Sequence, residues 1–385
     1  MGGNLPVQNK LKKMNSLDEK YKDMLRHIMK NGVVKKDRTG TGTISVFDYT
    51  IRHKMSEGFP LLTSKKMYWK GIVHELLWFL RGDTNIKYLV ENGCHIWDGD
   101  AYKNYVKKST EDHVIETHKE VKDGFIHPEL ITQVVLSLSE FIERIKTDSE
   151  FAAKWGELGS IYGHQWRKWN QYTDVCVDND FGNGEYGGCW TLKQIDQISN
   201  LIDDLKHNPD SRRLMVSAWN VGDIRNMVLP PCHYGFQCYT YEMSFEERVY
   251  EWCRSLNKSL HYGDDMTSEK LDEIGFPVRK LSLKFNMRSN DVFLGLPFNM
   301  ASYGLILHLL AKEVNMVTDE LIFSGGDCHI YLNHLKQCGV QLNQQIFKLP
   351  KVSIAKDKSI FNVNYEDIKL LDYQYSPSIK GELSN

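Results

Sequence analysis

Residues 195–220, IDQISNLIDDLKHNPDSRRLMVSAWN, read as a helix (IDQISNLIDDLKHNPDS) running into a strand (RRLMVSAWN), and residues 232–243, CHYGFQCYTYEM, read as a second strand. Helix and strand alternate, which points to a mixed α/β fold. Outward from there, LDEKYKDMLRHIMKNG puts Leu17, Tyr21, Met24, Leu25 and Ile28 on one stripe with Gly32 as a stop, predicting a helix over about 17–31. DRTGTGTISVFDYTIRHK reads as a turn leading into strands, and KLSLKFNM as a further strand. Residues 65–81, KKMYWKGIVHELLWFLR, are apolar nearly all round and predict a helix through the core, and MASYGLILHLLAKEV predicts another. From Gly99 to about Ser149 the chain is charged and lysine-rich, predicting a peripheral helical insertion. Residues 243–280 predict a second insertion on the surface. With no internal repeat or low-complexity linker, the expectation is a tail over 1–16 and one mixed α/β domain over 17–385, with insertions near 99–149 and 243–280.

Composition narrows the class. Hydrophobic residues at 41% and charged residues at 25% are those of a folded, soluble chain, excluding disordered and fibrous classes. Lys plus Arg number 48 against 50 Asp plus Glu, so a net charge of -2 gives no global attraction for nucleic acid or anionic membrane, and any anion site is a local cluster. No apolar run reaches the length of a membrane span. The opening MGGNLPVQNKLKKMNS lacks a secretory hydrophobic segment, and Pro6 stands where a myristoylation signal wants Ser or Thr, so a cytoplasmic location is expected. The eight cysteines contain no C-x-x-C pair, arguing for buried thiols over a disulfide scaffold or zinc ribbon, and no metal is expected.

Several residues carry two readings each. GNGEYG, residues 182–187, satisfies G-x-G-x-x-G, but the DVCVDNDF before it is a poor buried strand and its acids would repel a pyrophosphate, so a glycine-rich loop is preferred. Glu75 has Gly71, Ile72, Trp78 and Phe79 as helical neighbours. Burial there would raise its pKa toward that of a general acid or base, or it is a structural carboxyl satisfied internally. Arg38, Arg212, Arg213 and Arg288 suit a phosphate, yet each taken singly is an ordinary surface residue, and neighbours within a strand face opposite ways, so Arg212 and Arg213 need a bend or a subunit boundary to act together. Pro230 and Pro231 stiffen the backbone before Cys232, which is either a fixed nucleophile with nearby arginines lowering its pKa or an inert buried thiol.

In order along the chain, DRTGTGT, GFPLLTSKK, HELLWFLRGDTN, IYGHQWR, DSRRLMVSAWN, PPCH, RSNDVFLGLPFNMASY and GGDCHIYLNH resemble the folate-dependent thymidylate synthase family with a cysteine nucleophile, over about Asp37 to His334 and more weakly to Lys380. The resemblance implies a single α/β domain that forms a homodimer through a face of its large β-sheet. It implies reductive methylation of dUMP to dTMP with 5,10-methylenetetrahydrofolate as co-substrate. No nucleic acid or membrane partner is implied.

By the same resemblance Cys232 attacks C6 of the pyrimidine, Glu75 runs the proton network around O4 and the folate, and Tyr162 helps water remove the C5 proton. Asn299 reads the pyrimidine edge, so the base is uracil; relatives that use dCMP carry Asp there. Arg38, Arg288 and Ser289 hold the phosphate from one subunit, and Arg212 and Arg213 reach it from the other. Asn290 and Asp291 belong to the nucleotide set, His329 and Tyr331 bond the deoxyribose hydroxyl, and Lys65, Trp97 and Asp291 contact the folate. Some positions depart from the family pattern: Asp100 stands where many members have a second Trp, Met287 where Gln is usual, and Tyr68 where His is frequent. The chain ends SIKGELSN instead of in a small apolar tail that shuts the site. Poor closure would admit water and give 5-hydroxymethyl-dUMP with tetrahydrofolate, so a dUMP hydroxymethylase is the alternative.

Overall fold

The computed structural model describes residues 15–120, 135–176, 188–256 and 266–383. The tail MGGNLPVQNKLKKM, the glycine-rich GNGEYG, part of the first charged segment (121–134) and the HYGDD of the second lie outside them.

Helix α1 (Ser16–Asn31) is capped by the Asn15 side chain, which accepts from the Asp18 N–H, and it buries the expected stripe from Leu17 to Ile28. Strands β1 (Val33–Lys35) and β2 (Thr43–Lys54) follow. Helix α2 (Trp69–Leu80) begins four residues later than expected. Within the missing stretch the Met67 N–H donates to the Tyr373 hydroxyl at 3.0 Å, and just before it the Asp18 carboxylate accepts from the N–H groups of Thr63 and Ser64, both at 2.9 Å. From Gly71 to Leu80 every residue of α2 is buried, which explains a helix apolar on all sides.

Helices α3 (Lys87–Glu91), α4 (Asp98–Glu120), α5 (Leu138–Thr147), α6 (Ser149–Trp155) and α7 (Tyr162–Arg167) come next. The described residues of the lysine-rich segment are thus mostly helical, but they are not merely peripheral. Ala101 and Tyr105 of α4 are buried, with the Tyr105 ring 5.1 Å from Phe141 of α5 and 5.7 Å from Phe151 of α6. This aromatic cluster fixes the start of α4 against the core.

Strands β3 (Trp169–Cys176) and β4 (Gly188–Ile195) pair as a separate two-stranded ribbon. Helix α8 (Gln197–His207) leads to β5 (Met215–Ser217), shorter than the expected strand because Arg212 and Arg213 lie on a turn. Then come β6 (His233–Glu242), α9 (Phe245–Ser255), α10 (Ser268–Glu273), β7 (Arg279–Asp291), α11 (Gly295–Glu313), β8 (Val317–Tyr331), α12 (Leu335–Leu342), β9 (Lys351–Ile354) and β10 (Ile368–Leu371).

Six strands form a mixed sheet in the order β1-β2-β8-β7-β6-β5, in which only β7 and β8 run parallel. A parallel pair needs a crossover, and the buried α11 supplies it. Its Tyr303 ring stacks on Phe285 of β7 with centroids 4.3 Å apart. On the opposite face of the sheet Met215 and Tyr239 remain 57% and 67% exposed. No described helix is long and apolar enough to cross a membrane.

Candidate active site

Cys232 stands at the mouth of β6, where the prolines before it leave two carbonyls instead of two N–H groups. Arg288 uses both: its Nε donates to Pro231 O and its Nη2 to Pro230 O, each at 2.9 Å, which brings Nη2 to 4.0 Å from Cys232 Sγ. The guanidinium therefore steadies the proline turn and faces the thiol. Burial nonetheless wins: it pushes the Cys232 pKa up, while Arg288 and Arg38 pull it down and Asp100 pushes it further up. The arginines thus act in the direction that the nucleophile reading needs, but in the ligand-free chain desolvation outweighs them. Desolvation is the part that the sequence pattern does not carry.

The Cys232 N–H donates to the Tyr162 hydroxyl at 2.7 Å. With that oxygen accepting, the Tyr162 proton is free to point elsewhere, and burial raises its pKa well above the ordinary value, so the hydroxyl stays protonated. The Tyr162 ring stacks on His233 at 4.1 Å, and His233 Nδ1 lies 2.8 Å from Tyr303 Oη. Burial lowers the His233 pKa to about 3, so this imidazole is neutral.

Glu75 projects from α2 into the same space. Trp97 Nε1 donates to its Oε1 at 2.9 Å, and burial raises its pKa to about 7 despite that bond. A carboxyl poised near neutrality can give or take a proton under ordinary conditions, so the acid–base reading of Glu75 is the one its surroundings favour.

These groups share a cavity of about 430 Å³ whose lining includes Cys232, Glu75, Tyr162, Trp97, Asn299 and Tyr331. Ser289, Asn290 and Asp291 line it from the end of β7. Asp291 Oδ1 accepts from the N–H groups of Phe293 (2.9 Å) and Leu294 (3.1 Å), which orients the carboxylate and leaves Oδ2 without a hydrogen-bond partner among the described residues. Asn290 Nδ2 donates to Met287 Sδ at 3.0 Å, while its buried Oδ1 has no partner among the described residues. Ile96, Leu294 and Phe298 supply an apolar wall. Flat rings with polar edges fit such a lining: apolar faces for the ring, and unpaired acceptors at Asp291 and Asn290 for its N–H groups. Among the described residues no group of three or more His, Cys, Asp or Glu gathers as a metal site.

A sequence model of thymidylate synthase matches residues 19–385. The thymidylate synthase of Mesoplasma florum is 39% identical over 366 residues, covering 95% of this chain and 99% of the relative. That of Mycoplasma pneumoniae is 38% identical with the same coverage, and that of Listeria monocytogenes is 39% identical over 370 residues, again 95% of this chain and 99% of the relative. The chain belongs to the thymidylate synthase family.

Not every residue that the family pattern nominates lies on the cavity wall. Arg38 is exposed on the loop between β1 and β2, where Gly40 and Gly42 take φ values of 78° and 80° and Asp37 ties the turn through the Gly42 N–H at 2.7 Å. Arg212 and Arg213 are exposed on their turn, which removes the objection that neighbours in a strand diverge. His329 is buried behind the wall, its Nδ1 3.1 Å from Asp327 Oδ1 and its ring edge-on to Tyr331 at 5.2 Å. Lys65 is turned away, donating to Phe293 O and lying 3.9 Å over the Phe293 ring; burial lowers its pKa to about 8. Tyr68 donates to Gly93 O at 2.8 Å and also lies off the wall.

The cavity further holds groups that sequence reasoning did not assign: His233, Leu294, Phe298 and, on the tail, Gly381 and Leu383. His233 was signalled only by standing next to Cys232. The polar ending left closure of the tail open; in the structure the tail reaches the wall, with Ile379 packed against the core and Glu382 O accepting from His334 Nε2 at 2.8 Å.

Proposed function

We propose that Cys232, Glu75, Tyr162 and Asn299 carry the reaction that family membership assigns to this chain, the methylation of dUMP to dTMP. The observation that supports this most is the placement of a backbone-fixed thiol and a carboxyl with a pKa of about 7 in one cavity. The thiol gives up its proton to solvent as the nucleotide binds, Sγ adds to C6 of the pyrimidine, and the electron pair moves through C5 to O4. Glu75, in its protonated form, supplies the proton that O4 needs, and its depressed acidity keeps that form available near pH 7. The Asn299 amide offers a donor to O4 and an acceptor to N3–H, which selects uracil. When bound, 5,10-methylenetetrahydrofolate supplies the one-carbon unit to C5 and then a hydride that completes the methyl group. Tyr162, its oxygen engaged by the Cys232 N–H, uses its free proton to orient the water that removes the C5 proton. Trp97, Leu294 and Phe298 face the folate and keep bulk water out, with Asp291 meeting its polar edge and Lys65 acting from behind through Phe293.

We place the nucleotide phosphate at Arg38, Arg288 and Ser289, with Tyr331 and His329 at the sugar and Asn290 beside the base. Arg212 and Arg213 serve the site of a second copy, in a homodimer formed through the sheet face that carries Met215 and Tyr239. Residues 17–385 act as one catalytic domain with insertions near 99–149 and 243–280.

Purified protein given dUMP and 5,10-methylenetetrahydrofolate should release dihydrofolate one-for-one with dTMP. Stoichiometric 5-hydroxymethyl-dUMP without dihydrofolate would move the assignment to the hydroxymethylase.

A further inference from the structure

Beyond Ser376, the tail makes one hydrogen bond among the described residues, from His334 Nε2 to Glu382 O at 2.8 Å. A carbonyl oxygen only accepts, so Nε2 carries the proton. His334 is fully buried, its ring 5.1 Å from Phe293 and edge-on to Tyr331 of the cavity wall at 6.0 Å, and its Nδ1 has no partner among the described residues. Phe293 is itself anchored by the ammonium of Lys65. Onto this platform the tail presents Gly381, where a Cβ would lie 2.9 Å from both His334 Nε2 and Phe293 Cε1, tighter than such contacts allow. Leu383, two residues on, lines the cavity together with Gly381 although it is otherwise 55% exposed. A backbone hydrogen bond and a glycine-sized gap thus hold a tail whose ELSN ending offers little apolar surface of its own.

We propose that His334 is a positioning residue for the final step: its Nε2–H seats the tail at Gly381 as the outer wall of the cavity and so keeps water from the methylene formed at C5. The inference rests on the reaction proposed above. With the wall seated, hydride adds to the methylene to give the methyl group, the C6–Sγ bond breaks, Cys232 leaves as thiolate and tetrahydrofolate becomes dihydrofolate. With the wall open, the oxygen of water adds instead, a proton passes to solvent, the same C6–Sγ bond breaks and tetrahydrofolate departs unoxidised.

The test compares His334→Gln, whose amide nitrogen can reach the Nε2 position, with His334→Phe, which keeps a ring without the donor, and with Gly381→Ala. In the ligand-free protein, hydrogen exchange of residues 377–385 should be about tenfold faster in His334→Phe and Gly381→Ala than in the wild type, and close to wild type in His334→Gln. In turnover the first two variants should raise the fraction of 5-hydroxymethyl-dUMP severalfold and raise KM for the folate but not for dUMP. His334→Gln should restore both. Wild-type exchange and product ratio in His334→Phe, or a His334→Gln variant as impaired as His334→Phe, would overturn the proposal. Should His334→Phe fail to fold, Gly381→Ala decides alone, and wild-type behaviour in it overturns the latch. A wild-type protein that forms no dTMP would sink the underlying reaction, while the exchange rates would still decide whether His334 seats the tail.

Discussion

Around Cys232 each group is held by the secondary structure of a single chain. Glu75 is on the buried stretch Gly71–Leu80 of α2, Tyr162 opens α7 and takes the Cys232 N–H, and Arg288 of β7 braces the proline turn. The other arginines are the reverse case: Arg38 sits on a glycine turn, Arg212 and Arg213 on the turn before β5, all three exposed and off the cavity wall. Covalent chemistry needs groups fixed to within a fraction of an ångström, which packing supplies. Anion binding tolerates long, mobile cations, which can come from a loop or from another subunit. The difference teaches that one chain holds the proposed reacting groups by packing, and that the exposed arginines are the part which the proposed homodimer would complete on assembly.

Substitutions on the two sides should therefore fail differently. Cys232→Ser should lower kcat by about 10³-fold or more, with dUMP affinity by calorimetry within about threefold of wild type, since the thiol acts in the bond-forming step. Glu75→Gln should cost about 10²-fold in kcat with little change in KM for dUMP. The Arg212→Ala/Arg213→Ala variant should show the opposite split, raising KM for dUMP by about tenfold or more and changing kcat by only a fewfold. A kcat defect as large as that of Glu75→Gln in this variant would erase the proposed division.

The smallest effect is on stability. The folded Glu75 pKa of about 7 lies above the ordinary carboxyl value of 4.5, so the folded state binds a proton that the unfolded state has released. Stability is then full below about pH 4.5 and falls by about 3 kcal/mol as pH rises through 7. Glu75→Gln should accordingly melt at a higher temperature than wild type at pH 8, with the gap closing by pH 5. An equal gap at both pH values would mean that burial does not perturb this carboxyl.

What could be read in the sequence follows the same division. The buried helices were legible because their apolar residues repeat, and α1 and the crossover α11 lie where the pattern puts them. At Cys232 the prolines and at Glu75 the apolar neighbours left two readings each, and the family resemblance was what nominated both for the reaction. The ribbon β3–β4 was not, because its described residues Gln171, Tyr172 and Thr173 are exposed and need no buried alternation. The turn at Arg212 was hidden because RRLMVSAWN carries the apolar run LMV directly after the arginines with no Gly or Pro to mark a turn, and of that stretch only Met215–Ser217 pair with β6. The raised Cys232 pKa and the closing tail depend on burial and on a contact from His334 to Glu382, 48 positions away, neither of which a local pattern encodes.

Subunit mixing tests the completed-on-assembly account most directly. Cys232→Ser and Arg212→Ala/Arg213→Ala chains, each carrying a different tag, are combined in equal amounts at dUMP well below the KM of the arginine variant. Co-purification of the two tags establishes that exchange has occurred. Random exchange makes about half of the dimers mixed, and each mixed dimer holds one site with an intact Cys232 from one chain and an intact arginine pair from the other. The account predicts recovery of about one quarter of wild-type activity. Activity no greater than the average of the two parent variants, in a sample where mixed dimers are demonstrated, would contradict it and place Arg212 and Arg213 with the Cys232 of their own chain.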